Sequence, residues 1–351
     1  MSIIPSYDTE EINLYYYNDE TKKIILSNFK NYTKLEIFRC ENHNLTELPD
    51  LPDTLIELYC AYNKLKKLPN LPDSLIKLFC YNNKLIKLPK LPKSLNYLEC
   101  NDNNLIELPN LPNSLIHLEC DDNNLTELPN LPNSLIKIWC YNNYLTKLPT
   151  LPTSLLNLEC YGNNLSELPE LPNSLTHLYC YHNNLTELPN LPNSLTYLIC
   201  DNNELTELPN LPNSLIELQC NFNYLTELPK LPNLLTELLC ANNELTELPY
   251  LPNLLKILEC SYNNLTELLN LPNSLKYLIC NNNNFTYPNL EIETINEINS
   301  KNRIIKRTKL LNRTLLLEHS AMISMNPKRI KRLLDNLEID FFDGSFDTLT
   351  S

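Results

Sequence analysis

From residue 35 to residue 288 the apolar positions of the chain fall in a single frame. One turn reads Leu55-x-x-Leu58-x-Cys60-x-x-Asn63-x-Leu65-x-x-Leu68-Pro69-x-Leu71-Pro72, and the next begins at Leu75. The period is twenty residues, without insertion, from Leu35 to a last complete segment at Leu275-x-x-Leu278-x-Cys280-x-x-Asn283. The alternation Leu58-x-Cys60 has a period of two. It predicts a short strand that puts Leu and Cys on one face and the intervening residues on the other. Such a strand cannot bury its apolar face alone. Stacking the turns pairs each strand in parallel with the next at about 4.8 Å, and a continuous core results. Leu65, Leu68, Leu71 and Leu75, with their counterparts, then fill the interior from the other sides of the coil.

The Leu-Pro-x-Leu-Pro stretch is the returning side of each turn. Proline holds φ near −65° and lacks a donor, so this side is predicted to be extended or polyproline-like, not helical. Asn recurs at 63, 83, 103 and onward to 283, where the chain turns inward after the strand. A buried turn leaves backbone groups to be paired, and a primary amide both donates and accepts. A hydrogen-bonded ladder of asparagines is the expectation, with His43 in that slot in the first turn.

The motif Leu-x-x-Leu-x-Cys-x-x-Asn-x-Leu-x-x-Leu-Pro-x-Leu-Pro resembles the leucine-rich-repeat family, and its twenty-residue Leu-Pro form is similar to the bacterial effector subclass. A wording rich in Asn, Ile, Lys and Tyr also resembles repeat proteins of giant DNA viruses. The resemblance covers residues 35–288 and implies a right-handed coil with one parallel β-sheet on its concave face and an extended convex side. It implies a protein-binding scaffold, although one fold serves many partners. Some bacterial members carry a C-terminal ubiquitin-ligase domain with a catalytic cysteine. Here residues 289–351 contain no Cys, so that activity is not implied.

Composition narrows the picture further. The formal charge is −14, which opposes whole-body attraction to nucleic acid or anionic lipid. Only Gly162 and Gly344 occur, so glycine-rich phosphate loops and dinucleotide turns cannot be built. No nucleophile–base pair or metal cluster stands at fitting spacing, and no enzyme activity or cofactor is expected. The first residues show no signal peptide and no long apolar run occurs, so a cytoplasmic protein is expected, in a host cytoplasm if it is viral. Triplets such as Asn44-Leu45-Thr46 then read as by-products of the repeat.

Thirteen cysteines, from Cys40 to Cys280 at twenty-residue intervals, admit three readings. They are buried, reduced apolar plugs, disulfides between adjacent turns, or metal ligands. In-register strands point neighbouring Cβ atoms the same way, the count is odd, and a linear ladder brings no four ligands together. The first reading is favoured.

Partner recognition is expected where the repeat varies, at the positions before and after each Cys. Stacking the turns gathers Trp139, Tyr141, Tyr161, Tyr179 and Tyr181 into an exposed aromatic cluster, with Lys137, His177 and His182 beside it. Glu99, Asp102, Glu119, Asp121 and Asp122 form an adjoining acidic field. Exposed Trp and Tyr anchor interfaces, and acids orient a basic partner. The bland reading stays open: aromatics suit strand surfaces and the acids are a solvated face. His117 and His177, three turns apart, cannot share a metal and read as surface residues.

Three segments follow: residues 1–34 as an N-terminal cap, 35–288 as thirteen turns of twenty residues, and 289–351 as a basic, partly helical C-terminal cap or tail. In the cap, Ile3, Ile4, Ile12, Leu14, Ile24, Ile25 and Leu26 are expected to cover the first turn. In the tail, residues 301–332 hold ten Lys or Arg against Glu318 alone, and Asn326-Pro327 signals a helix start. The expected function is a non-catalytic scaffold that binds a protein on the concave sheet, a host protein with a basic or mixed surface if the viral resemblance holds. The alternatives are a self-associating structural protein, or a targeting module whose basic tail contacts phosphate groups. Nucleotide and membrane span are not expected, nor is nucleic acid except through 301–332.

Overall fold

Each twenty-residue turn contributes one three-residue strand to a single sheet. The computed structural model describes residues 4–268 and 271–285, all within the unit Met1–Asn302. Among the described residues fourteen strands lie in sequence order, each parallel to the one before. The first, β1 (Glu11–Asn13), precedes the repeats; β2 (Ile37–Arg39) to β14 (Tyr277–Ile279) follow at twenty-residue intervals. Register is strict: Leu58 faces Leu78, and Leu118 faces Ile138. The returning side contains no helix among the described residues, as proline at two of every five positions there requires. No helix of the described residues is long and apolar enough to cross a membrane.

The core is the expected ladder. Leu55, Leu58, Cys60, Leu65 and Leu75 are fully buried and Leu68 nearly so, whereas Leu71 is only partly buried. All thirteen cysteines are free and buried. Burial pushes the thiol pKa of Cys160, for example, well above its ordinary value, which keeps such thiols protonated and unreactive.

Every asparagine from Asn63 to Asn283 ties two turns together. The Nδ2 group of Asn143 donates to the carbonyl oxygens of Cys120 (3.1 Å), Cys140 (3.2 Å) and Tyr141 (3.2 Å), and its Oδ1 accepts from the Leu125 amide (2.9 Å). In the first turn the His43 amide donates to Asn63 Oδ1. A second ladder was not anticipated. Ser134 Oγ donates to the carbonyl of Leu115 one turn earlier at 2.6 Å, and the serines from Ser74 to Ser214 and Ser274 do likewise.

The residue two places after each Cys adopts the left-handed conformation, with φ between 50° and 64°. Only Gly162 has no Cβ to oppose it; Tyr62, Phe222 and Tyr262 accept it as well. Each non-glycine residue there costs about 1 kcal/mol, which the repeated ladder bonds outweigh.

The N-terminal segment extends the core beyond the first turn. Its strand β1 pairs with β2, and α1 (Asp19–Ser27) is capped by Asn18, whose side chain accepts from the Thr21 amide. Ile12, Leu14 and Ile25 are buried, Leu26 is partly so, and Ile4 and Ile24 are exposed. Phe29 and Tyr32, absent from the sequence expectation, contribute the largest buried side chains, and Phe29 packs 4.5 Å from Phe38. Ile3, the basic stretch 301–332 and the helix start at Asn326-Pro327 lie outside the described residues.

Candidate protein-binding face

In a three-residue strand the middle side chain points into the core and its neighbours point outward. The candidate residues lie on five strands and just beyond them: β5 (Tyr97–Glu99), β6 (His117–Glu119), β7 (Lys137–Trp139), β8 (Asn157–Glu159) and β9 (His177–Tyr179). In-register pairing turns the outward positions into columns across the sheet. One column holds Tyr97, His117, Lys137, Asn157 and His177, and the next Glu99, Glu119, Trp139, Glu159 and Tyr179. The residues just after each Cys make a third: Asn101, Asp121, Tyr141, Tyr161, Tyr181 and Asp201.

The third column is a stack. The rings of Tyr141, Tyr161 and Tyr181 lie parallel, with centroids 4.3 and 4.1 Å apart. Trp139 adjoins Tyr141 at 6.5 Å, its Nε1 donates to Asn157 Oδ1 at 3.3 Å, and Lys137 Nζ sits 3.1 Å above its ring centroid. Tyr179 stays outside this series and meets His177 edge-on at 6.3 Å; His182 meets Tyr181.

The expectation of an exposed cluster needs correction. Strand spacing places each ring against the faces of its neighbours, so Trp139, Tyr161, Tyr179 and Tyr181 are half-buried, and Tyr141 is only 7% exposed. The band offers ring edges and hydroxyls. Nor is the acidic field a solvated face: Asp121 is 1% and Glu119 9% exposed, and Glu99 is half-buried. The position after Cys sits in the chain's inward turn, which encloses its side chain.

That burial has electrostatic consequences. It pushes the Glu99 carboxyl up to about 7, with Glu119 adding to the effect and His117 and Lys137 opposing it. Burial also moves Glu159 to about 7, against the pull of Lys137. Asp121 is raised well above its ordinary value, by burial first and Asp122 second. Neither Asp121 oxygen makes a hydrogen bond of ordinary geometry, although the nearby Tyr141 hydroxyl draws its pKa slightly down. Burial holds the Tyr161 hydroxyl far above the usual phenol range.

His117 is not the surface residue expected from its spacing. Its Nε2 lies 2.8 Å from Glu119 Oε1 and 3.9 Å from Glu99 Oε1, and its ring stacks on Tyr97 at 5.4 Å. Lys137 Nζ reaches the same Glu119 oxygen at 3.1 Å. Residue types alone hid this cluster, because it depends on two outward columns converging; the signal was Glu at 99 and 119 flanking His at 117.

Known structures repeat this architecture. The chain is 36% identical to YopM, a leucine-rich effector protein from Yersinia pestis, over 77% of its own length and 90% of that chain, with a TM-score of 0.59. The chain belongs to the leucine-rich-repeat family. YopM from Yersinia enterocolitica is 41% identical with a TM-score of 0.73, over 73% of this chain and 57% of that one; the chain thus spans little more than half of that relative. The functional domain of InlJ from Listeria monocytogenes, described as including a cysteine ladder, is 28% identical over 67% of this chain and 60% of that one, at a TM-score of 0.52. No family model and no curated protein matches the chain. The resemblance to giant-virus repeat proteins gains no support from these leucine-rich-repeat relatives.

Proposed function

We propose that this leucine-rich-repeat protein is a non-catalytic scaffold that takes a protein partner with a basic surface on the outward face of β5 to β9. One observation carries the reading. Within a frame whose Leu, Cys and Asn barely change, these turns alone combine Trp139 and a stack of three tyrosines with the carboxylates of Glu99, Glu119, Asp121 and Glu159. Half-buried aromatic edges held rigid by stacking lose little freedom on binding, and a carboxylate excess with Lys137 as its near cation favours a cationic partner. The description of YopM as a leucine-rich effector protein fits an interaction role. Residues 1–34 are read as the cap of the first turn.

The test is affinity capture with wild type and the double variant Trp139→Ala, Glu159→Lys, followed by mass spectrometry. The expected result is a basic protein retained by wild type, released by salt, and lost with the variant while circular dichroism is unchanged. Equal retention by both would remove this face from consideration.

A further inference from the structure

The cluster around His117 has the makings of a metal centre. One ligand atom each of Glu99, His117 and Glu119 lies within 4.8 Å of the other two. Their side chains are 23%, 14% and 12% exposed, so they are neither free in solvent nor sealed from it. They come from two adjacent strands whose register fixes their spacing. A tetrahedral first-row ion bonds N and O donors at about 2.0–2.2 Å, which sets donors about 3.3–3.6 Å apart around it. The pairs at 2.8 and 3.9 Å bracket that spacing, and small side-chain rotations bring both onto it.

The adjoining column holds further buried polar groups. Two residues after Glu119 stands Asp121, 1% exposed, with the Tyr141 hydroxyl as its hydrogen-bonding neighbour. Asn101 Oδ1, one turn earlier in the same column, is buried without a hydrogen bond. Against Glu99, Glu119 and Asp121 the nearest cation is Lys137, which bonds one Glu119 oxygen and rests on Trp139.

We propose that Glu99, His117 and Glu119 form a binding site for a divalent first-row transition ion, Zn²⁺ being the reference case. The donor set decides the class. An imidazole nitrogen with two carboxylates suits zinc or its neighbours, whereas Ca²⁺ and Mg²⁺ call for more oxygen ligands. The ion takes the lone pair of His117 Nε2, so the imidazole proton moves to Nδ1 and the hydrogen bond to Glu119 is replaced by a shared metal bond. Lys137 is the competitor for the same Glu119 oxygen.

The sequence provides its own reporter. Trp139 is the only tryptophan, and its ring centroid lies 6.3 Å from that of His117. The reduced full-length protein is titrated with Co²⁺, with Trp139 fluorescence and the visible d–d bands followed together, and then with Zn²⁺ as competitor. One equivalent of Co²⁺ is expected to quench Trp139, and Zn²⁺ to reverse it. A thiolate-to-cobalt charge-transfer band should be absent. His117→Gln and Glu119→Gln each weaken binding by about 100-fold, as loss of a ligand requires. Lys137→Met strengthens it by about tenfold, because it removes a positive charge from beside a dication. That gain separates a metal site from a merely structural salt bridge, and it does not depend on a variant that risks misfolding. Absence of stoichiometric quenching in wild type overturns the proposal, as does quenching that survives His117→Gln, or a Lys137→Met variant that binds no more tightly. None of these results bears on the partner face, whose test leaves all three ligands in place.

Discussion

Replacing Asn143 by alanine should destabilise the array through one orphaned amide more than through the number of bonds lost. The side chain makes three donor bonds and one acceptor bond. The three carbonyls are served twice. Cys120 O also accepts from Asn123 Nδ2 at 3.1 Å, Cys140 O from Asn163 Nδ2 at 3.1 Å, and Tyr141 O from the Asp122 amide at 3.0 Å. The Leu125 amide bonds to Asn143 alone, in a buried turn. Leaving it unpaired costs about 1–3 kcal/mol, and the lost bonds bring the sum to roughly 2–4 kcal/mol. Asn143→Asp should be worse at neutral pH, because one carboxylate oxygen would face those three carbonyls. A protonated carboxyl donates to one of them, so its folded-state pKa lies above the unfolded value of about 3.9. The sign follows: the native state binds the proton more tightly, so stability is retained below about pH 4 and lost as pH rises through the folded-state pKa. Urea unfolding at pH 4 and pH 7, with wild type run at each pH to subtract its own titrations, measures both effects as shifts in midpoint at constant slope. An alanine variant within about 0.5 kcal/mol of wild type would refute the ladder as a source of stability. So would a wild-type-minus-aspartate difference that is flat with pH.

Two further substitutions probe the third column and the turn beside it. Burial holds Asp201 at about 7 against an ordinary 3.8, so its charge destabilises the folded state as pH rises above about 4; Asp201→Asn should gain on the order of 2–4 kcal/mol at pH 8 and nothing below pH 4, read from urea midpoints. The isostere has a precedent one turn on, where Asn221 Oδ1 accepts from the Ala241 amide at 2.7 Å, just as Asp201 Oδ1 accepts from the Asn221 amide at 2.6 Å. Gly162→Ala should cost about 1–2 kcal/mol, since its φ is 64° and an added Cβ would collide with Asn142 Oδ1; adding Asn142→Ala should recover the part due to the collision, and a thermal melt of the double variant no better than the single would contradict that cause.

How much of this was legible in the residues depends on whether a position repeats. Cys60 recurs without change and Leu58, Asn63 and Pro69 with few exceptions, and recurrence at one period forces them over their counterparts; the sheet, its register, the buried thiols and the asparagine ladder all follow. Ser134 recurs as well, but a hydroxyl two residues after proline reads along the chain as a turn residue. The left-handed position was hidden for the opposite reason: Tyr62, Asn82, Asp102, Gly162 and Phe222 share a backbone conformation and no chemistry. At the candidate face the columns were foreseen and their burial was not. Alternation assigns Tyr141 and Asp121 to the outward side, but the chain turns inward directly after Cys, and neighbouring rings at strand spacing cover one another. The His117 cluster required contacts between two columns, which a reading along the chain does not join.

The array keeps its stability and its chemistry at different positions, and this explains how it tolerates groups that a small core would reject. Leucine, cysteine, asparagine and serine contribute the same contacts turn after turn, so no single turn has to be optimal. Outward columns are therefore free to carry costly residues: a carboxylate at Asp121 with 1% exposure, and Glu99 and Glu159, whose carboxyls burial pushes up to about 7. These costs are not spread evenly. They gather on the turns from Cys100 to Cys200, the same turns that hold the tyrosine stack and the single tryptophan. Local violations that persist inside an otherwise consistent fold belong where a ligand relieves them. A cation, whether an ion held by His117 and its carboxylates or a basic side chain of a partner, relieves this one, and binding there should stabilise the central turns more than either end. Amide exchange of the β6 and β7 strands, compared with that of β2 and β13 (Ile257–Glu259) before and after ligand addition, reads that difference directly; equal protection along the array would show that the strained turns are not where binding energy is received.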